Sequence, residues 1–169
     1  MRRVSARTER IAVIGAGASP LVGTLVDVGY GDVHAVDISD MALDRLRAAL
    51  GRGAAAVTFV RADARALTFR RPVDVWHDRA TLHFLTDHDD RLAYAASAAV
   101  AVRPGGHLVL AGFAPDGPTH CSGLPVHRGD APSLATLFAE FTLRESFERT
   151  HRTPRGAAQR FLHAVLERR

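Results

Sequence analysis

Short apolar runs alternate along the chain with stretches whose apolar positions recur every three or four residues. A run of four to six apolar residues bounded by turn formers suits a strand buried on both faces, and the longer recurrence suits one face of a helix. On this pattern strands are expected at 10–14, 33–36, 57–61, 73–76 and 107–111, and helices at 20–28, 40–50, 89–102 and 131–137. Strand and helix alternate in that order, which predicts an α/β, Rossmann-like doubly wound fold with a mostly parallel sheet. Beyond 131 the order changes. The segments 142–149 and 159–166 both read as strands, and HRTPRG between them carries Pro154 and Gly156 as turn formers, so a C-terminal antiparallel hairpin is expected.

Length and composition narrow the class. A chain of 169 residues fits a single domain, 1–169, and a domain of this size buries roughly 70% of the surface its unfolded form exposes. The longest apolar runs, at 98–102 and 108–113, fall far short of the roughly 18 to 20 residues that cross a bilayer, so no membrane partner is expected. The opening MRRVSARTER has charge but no apolar stretch or cleavage site behind it, and Cys121 stands without a second cysteine. Both features fit a soluble cytoplasmic protein in a reducing compartment. The formal charge is +4 and every basic residue is an arginine. These arginines gather near both ends without the interleaved aromatics that stack bases, which argues against a nucleic-acid partner.

The chemistry concentrates at IAVIGAGASP. Gly15 and Gly17 stand where a strand must turn sharply and let a ligand approach the main chain. Ser19 suits an N-cap and Pro20 the first helical position. A dinucleotide fingerprint GxGxxG would place its third glycine at 20, so Pro20 argues against NAD, although Gly15, Gly17 and Asp37 permit an NAD-type oxidoreductase as the alternative. Asp37 ends the second strand, twenty-two residues after Gly15, where a carboxylate can accept hydrogen bonds from both ribose hydroxyls. Asp63, in RADA just past the third strand, can take the exocyclic amine of adenine.

With these residues in order, the chain resembles the class I S-adenosylmethionine-dependent methyltransferases: GAGAS for the glycine turn, AVDIS for the ribose acid, RADA for the adenine contact, and RPGGHLVLAGF for the turn and strand after the helix at 89–102. The resemblance runs from Arg10 almost to the end and includes the terminal hairpin, since the last strand of that family's sheet runs antiparallel. It implies S-adenosyl-L-methionine as cofactor, contacted by Gly15, Gly17, Ser19, Asp37, Ile38, Asp63 and Ala64. VDVWHDRATLHFLTDHDDRLAY and FAPDGPTHCSGLPVHR are similar in style to bacterial small-molecule methyltransferases of the thiopurine and tellurite-resistance kind. Three positions depart from the family pattern. Ser19 stands where a third glycine is common. Val13 replaces the acid that helps orient the methionine portion, which predicts looser cofactor binding. About ten residues precede the first strand, where the family usually carries one or two covering helices. That cover is then expected to be missing or supplied by another chain, a homodimer being its simplest source. Val13 and the short N-terminus also keep open a non-catalytic cofactor-binding relic or partner subunit.

Ligands of an open α/β sheet bind beyond the carboxyl ends of its strands, so WHDR should face the reacting methyl group. His77, Asp78, Arg79 and His83 are the candidate catalytic residues, with His83 four positions after Arg79 and on the same face if a helix follows. A histidine can take a nucleophile's proton, and Arg79 can hold a substrate carboxylate. An ion pair between Asp78 and Arg79, with His83 packed in a core, is the structural alternative. The Asn/Asp-Pro-Pro-aromatic signature of many amino methyltransferases is absent, which points away from bases and glutamine as acceptors. The long loop FAPDGPTHCSGLPVHRGD should shape access for a small-molecule substrate, with Cys121, and with His151 from the hairpin, as candidate contacts. His120 and His127 lie in the same loop, but no local spacing encodes a tetrahedral metal set.

Overall fold

The computed structural model describes residues 7–17, 19–153 and 156–169; Pro154 therefore lies outside the described residues. Its strands and helices are β1 (Ile11–Ile14), α1 (Pro20–Asp27), β2 (Val33–Asp37), α2 (Asp40–Leu50), β3 (Val57–Arg61), β4 (Val73–Arg79), α3 (His88–Ala101), β5 (Val102–Phe113), β6 (His120–Cys121), β7 (Leu124–Pro125), α4 (Ala131–Leu137), β8 (Phe141–Arg152) and β9 (Ala158–Arg168). Seven strands form one sheet in the order β3-β2-β1-β4-β5-β9-β8. The first five strands of that order run parallel, and β9 joins β5 antiparallel before turning back on β8. The expected doubly wound sheet with a terminal antiparallel hairpin is the fold observed. β6 and β7 make a separate two-stranded hairpin in the long loop after β5.

Two apolar layers hold the sheet, one on each face. Ile11, Val13, Val33, Ala35 and Val75 pack under Val22 and Leu25 of α1 and Leu43 and Leu46 of α2. Ala12, Ile14, Val36, Trp76, Leu108 and Leu110 pack on the opposite face under Tyr94, Ala98 and Ala101 of α3, with Phe138 and Phe141. Adjacent strand residues therefore divide between the two cores, as strand pleating requires. Each buried Val, Leu or Ile side chain contributes about 1.5–3 kcal/mol relative to exposure.

Two departures from the pattern matter for the site. β4 runs to Arg79, three residues past Trp76, because its pairing continues through Ile14↔Asp78 on β1 and Ala111↔Arg79 on β5. His77, Asp78 and Arg79 therefore lie within the strand, not after it. His83 sits in a short 3-10 turn, Leu82–Phe84, so Arg79 and His83 share no helical face, and that expectation is corrected. In β5 the pairing steps from Val73↔Val102 to Val75↔His107, which leaves RPGG as a bulge where a turn was expected. Among the described residues, no helix is long and apolar enough to cross a membrane.

Candidate active site at the strand rim

The carboxyl ends of β1 and β2 form the first part of the site. Gly15 has φ +60°, and a Cβ added there would stand 2.0 Å from Thr81 Oγ1. Thr81 lies over this turn and donates its hydroxyl to the Ile14 carbonyl at 3.2 Å. The glycine is therefore required by a neighbouring loop as well as by its own backbone. Gly17 (φ +36°) donates its N–H to one oxygen of Asp37 at 2.9 Å, and Ser39 donates its N–H to the other, also at 2.9 Å. Asp37 is thus held by two backbone donors at a fixed place on the rim. Ser19 caps α1, its hydroxyl accepting from Leu21 N at 3.3 Å, with Pro20 in the first helical turn.

Gly15, Asp37, Ile38, Asp63, Ala64, Thr81, Leu85 and Tyr94 help line a cleft of about 260 Å³. Ile38 is 65% exposed beside the Asp37 carboxylate, an apolar surface left open at the edge of a polar cradle. These features fit an adenosine: Asp37 retains lone pairs for ribose hydroxyls, and Ile38 offers a flat apolar contact to a base. Asp63 meets Arg65 through both of its oxygens and also accepts the Arg65 backbone N–H, while Arg65 reaches on to Asp90. The hydrogen bonds from Arg65 hold the Asp63 carboxyl below the usual carboxylate range. An adenine amine would therefore share Asp63 with Arg65.

On the other face of the sheet, Val13, Gly15, Ser19, His77, Arg79, Ala80 and Phe161 line a second space of about 260 Å³. His77 is largely buried and its Nδ1 has no partner. Burial pushes its pKa down to about 4, so the ring is neutral at physiological pH. Asp78 points to the opposite core, where it is 1% exposed. It accepts the backbone N–H groups of Thr81 (2.7 Å) and Leu82 (2.9 Å) and the Tyr94 hydroxyl, which in turn accepts Trp76 Nε1–H at 2.8 Å. Burial raises the Asp78 pKa against the pull of these donors. Through them it ties the end of β4 to the 81–84 turn that covers Gly15.

The candidate catalytic residues consequently fall into two groups. His77 and Arg79 share one space with the glycine turn, whereas Asp78 and His83 line a smaller cavity under α3 and α4. His83 is buried against the rings of Phe84 and Phe113. Cys121 packs against the Phe113, Val126 and Phe161 cluster, and His151 lies exposed on β8 with its ring perpendicular to that of Phe161; neither lines these spaces, though both adjoin Phe161 at the edge of the second. Thr81, Tyr94, Arg91 and Phe161 were not singled out by sequence reasoning. Only Thr81 had a usable signal, standing two residues past WHDR on the same rim.

Residues 11–106, more than half of the chain, match the model of the methyltransferase domain family. Comparison with curated protein sequences finds no match. Among solved structures, a SAM-dependent methyltransferase from Methanosarcina mazei superposes with a TM-score of 0.78 at 16% identity, over 99% of this chain and 95% of its own. A TehB-like SAM-dependent methyltransferase from Corynebacterium glutamicum gives 0.73 at 15% identity, covering 99% and 84%. The Burkholderia thailandensis 1,6-didemethyltoxoflavin-N1-methyltransferase, with 1,6-didemethyltoxoflavin and S-adenosylhomocysteine bound, gives 0.74 at 22% identity, covering 96% and 72%. At these identities the likeness is one of fold, and the family match covers β1 to β4, the strands that build the glycine turn, the ribose acid and the WHDR rim. The chain belongs to the methyltransferase domain family, and its fold is that of the solved SAM-dependent methyltransferases.

Proposed function

We propose that this protein transfers a methyl group from S-adenosylmethionine to a small-molecule acceptor at the rim between β1 and β4. The observation that carries the reading is the coupling of Asp37 to the glycine turn, the carboxylate being held by Gly17 N–H and Ser39 N–H beside a cleft edged by exposed Ile38. Asp37 would hold the ribose, Ile38 and Ala64 would flank the base, and Asp63 would accept its amine. When bound, the cofactor supplies an activated methyl group that needs an aligned nucleophile and little covalent help. His77, Arg79, Ser19 and Phe161 would shape the space where the acceptor aligns.

The chemistry of His77 narrows the acceptor. A ring with a pKa near 4 is a weak base, so it suits accepting a hydrogen bond and orienting a nucleophile more than stripping a proton from an alcohol. The site therefore favours acceptors whose lone pair or anion is already accessible near neutral pH, such as a thiol or a soft metalloid oxyanion. Arg79 suits an acidic group elsewhere on the same molecule. The TehB-like neighbour supports the same direction by fold. The test is to incubate purified protein with the cofactor and a panel of thiol, metalloid-oxyanion and carboxylate acceptors, reading the demethylated cofactor by mass spectrometry. Turnover with a thiol or metalloid supports the reading. Absence of turnover across the panel would sink it.

A further inference from the structure

The small cavity under α3 holds an unbalanced set of hydrogen-bonding groups. His83 is 4% exposed, yet neither of its ring nitrogens has a partner, and Arg91 Nε is buried without one. Arg91 Nη1 donates toward His127 Nδ1 at 3.4 Å, and His127 donates its backbone N–H to the His83 carbonyl at 2.7 Å, so the three residues form one wall. Among the described residues Arg91 makes no ion pair. Buried polar groups in folded proteins are nearly always satisfied, and a guanidinium without a carboxylate is the costlier exception.

The missing partner can be described by its chemistry. Burial lowers the His83 pKa to about 4, leaving a neutral ring with one N–H to donate. Arg91 adds a second free donor and a positive charge. Asp78 also lines the cavity, with Thr81, Leu82 and Tyr94 donating to its oxygens. The two free donors, one of them on a guanidinium with no carboxylate partner, suit an anionic oxygen ligand. Size points the same way. The cavity measures about 40 Å³, room for a small polar group. The remaining lining, Leu110, Phe113, Leu134 and Leu162, is apolar and suits the carbon that carries it.

We propose that this cavity is a carboxylate-binding site for a small molecule, with Arg91 and His83 as its donors and His127 positioning the guanidinium. It stands on geometry separate from the cofactor cleft, with the 81–84 turn as the wall between them, so it can be tested without cofactor or turnover. The histidine ring nitrogens of the full chain are followed by NMR while sodium acetate is added at constant ionic strength, with acetamide, its neutral isostere, in parallel. The expected result is a saturable shift of the His83 nitrogens with acetate below about 0.1 M, and a response at least about tenfold weaker with acetamide. Arg91→Gln should weaken the acetate response by about tenfold or more, with an unchanged thermal midpoint confirming that the variant is folded. No saturable shift with acetate, or equal responses to acetate and acetamide, would mark the space as a water-filled hole and overturn the proposal. Retention of acetate binding in a folded Arg91→Gln variant would overturn it equally.

Discussion

Gly15 and Asp37 together decide whether a ligand can reach the main chain at the rim. In Gly15→Ala the new methyl would meet Thr81 Oγ1 at 2.0 Å, in a backbone conformation with φ +60° that disfavours any side chain. The variant is expected to lose about 2 kcal/mol or more of stability, checked by chemical denaturation. It should lose cofactor affinity as well, because Thr81 must move off the turn. Both residues were legible in the sequence, since a glycine turn followed by an acid at the end of the next strand is dictated by local backbone geometry. The role of Asp78 was not legible. Beside His77 and Arg79 it looks like one more rim polar group, and only strand register sends it to the opposite core. Arg91 was hidden for a similar reason, because in DHDDR it reads as part of a solvated charged face until packing buries its Nε.

At the scale of elements, the link from the end of β4 to the turn over Gly15 depends on the chain Trp76, Tyr94 and Asp78. Tyr94→Phe leaves the Trp76 N–H without a partner inside the core and removes one of the two donors to Asp78 Oδ2. It is expected to cost about 2 kcal/mol, read as a lower denaturation midpoint with an unchanged slope. Asp78→Asn keeps the volume but turns an acceptor toward backbone donors as a second donor, and should cost about 2–4 kcal/mol. If Asp78 acted on substrate instead, Asp78→Asn would lower turnover at full stability. Element boundaries were legible where apolar periodicity ended on turn formers, as at α2 and α4. They were not legible at β4, where HDR continues the strand because β1 and β5 keep offering backbone partners on both sides.

For the whole molecule, the buried histidines set a pH dependence. His77 and His83 both have pKa values near 4 in the fold, below the ordinary 6.5, because burial disfavours the charged ring. Between those values the unfolded chain binds more protons than the folded one, so stability rises with pH across that window. The stabilisation is complete above pH 6.5 and is lost as pH falls toward 4, by a few kcal/mol in total. Denaturation at stepped pH should show this slope, and His83→Phe should make it shallower. The central claim, that the rim holds S-adenosylmethionine through Asp37, is tested most directly by calorimetric titration of S-adenosylhomocysteine into the wild type and Asp37→Ala. The account predicts saturable binding of one molecule per chain, weakened about 10- to 100-fold in a folded Asp37→Ala variant. No heat of binding to the wild type at about millimolar ligand, or equal affinity in the two proteins, would contradict it.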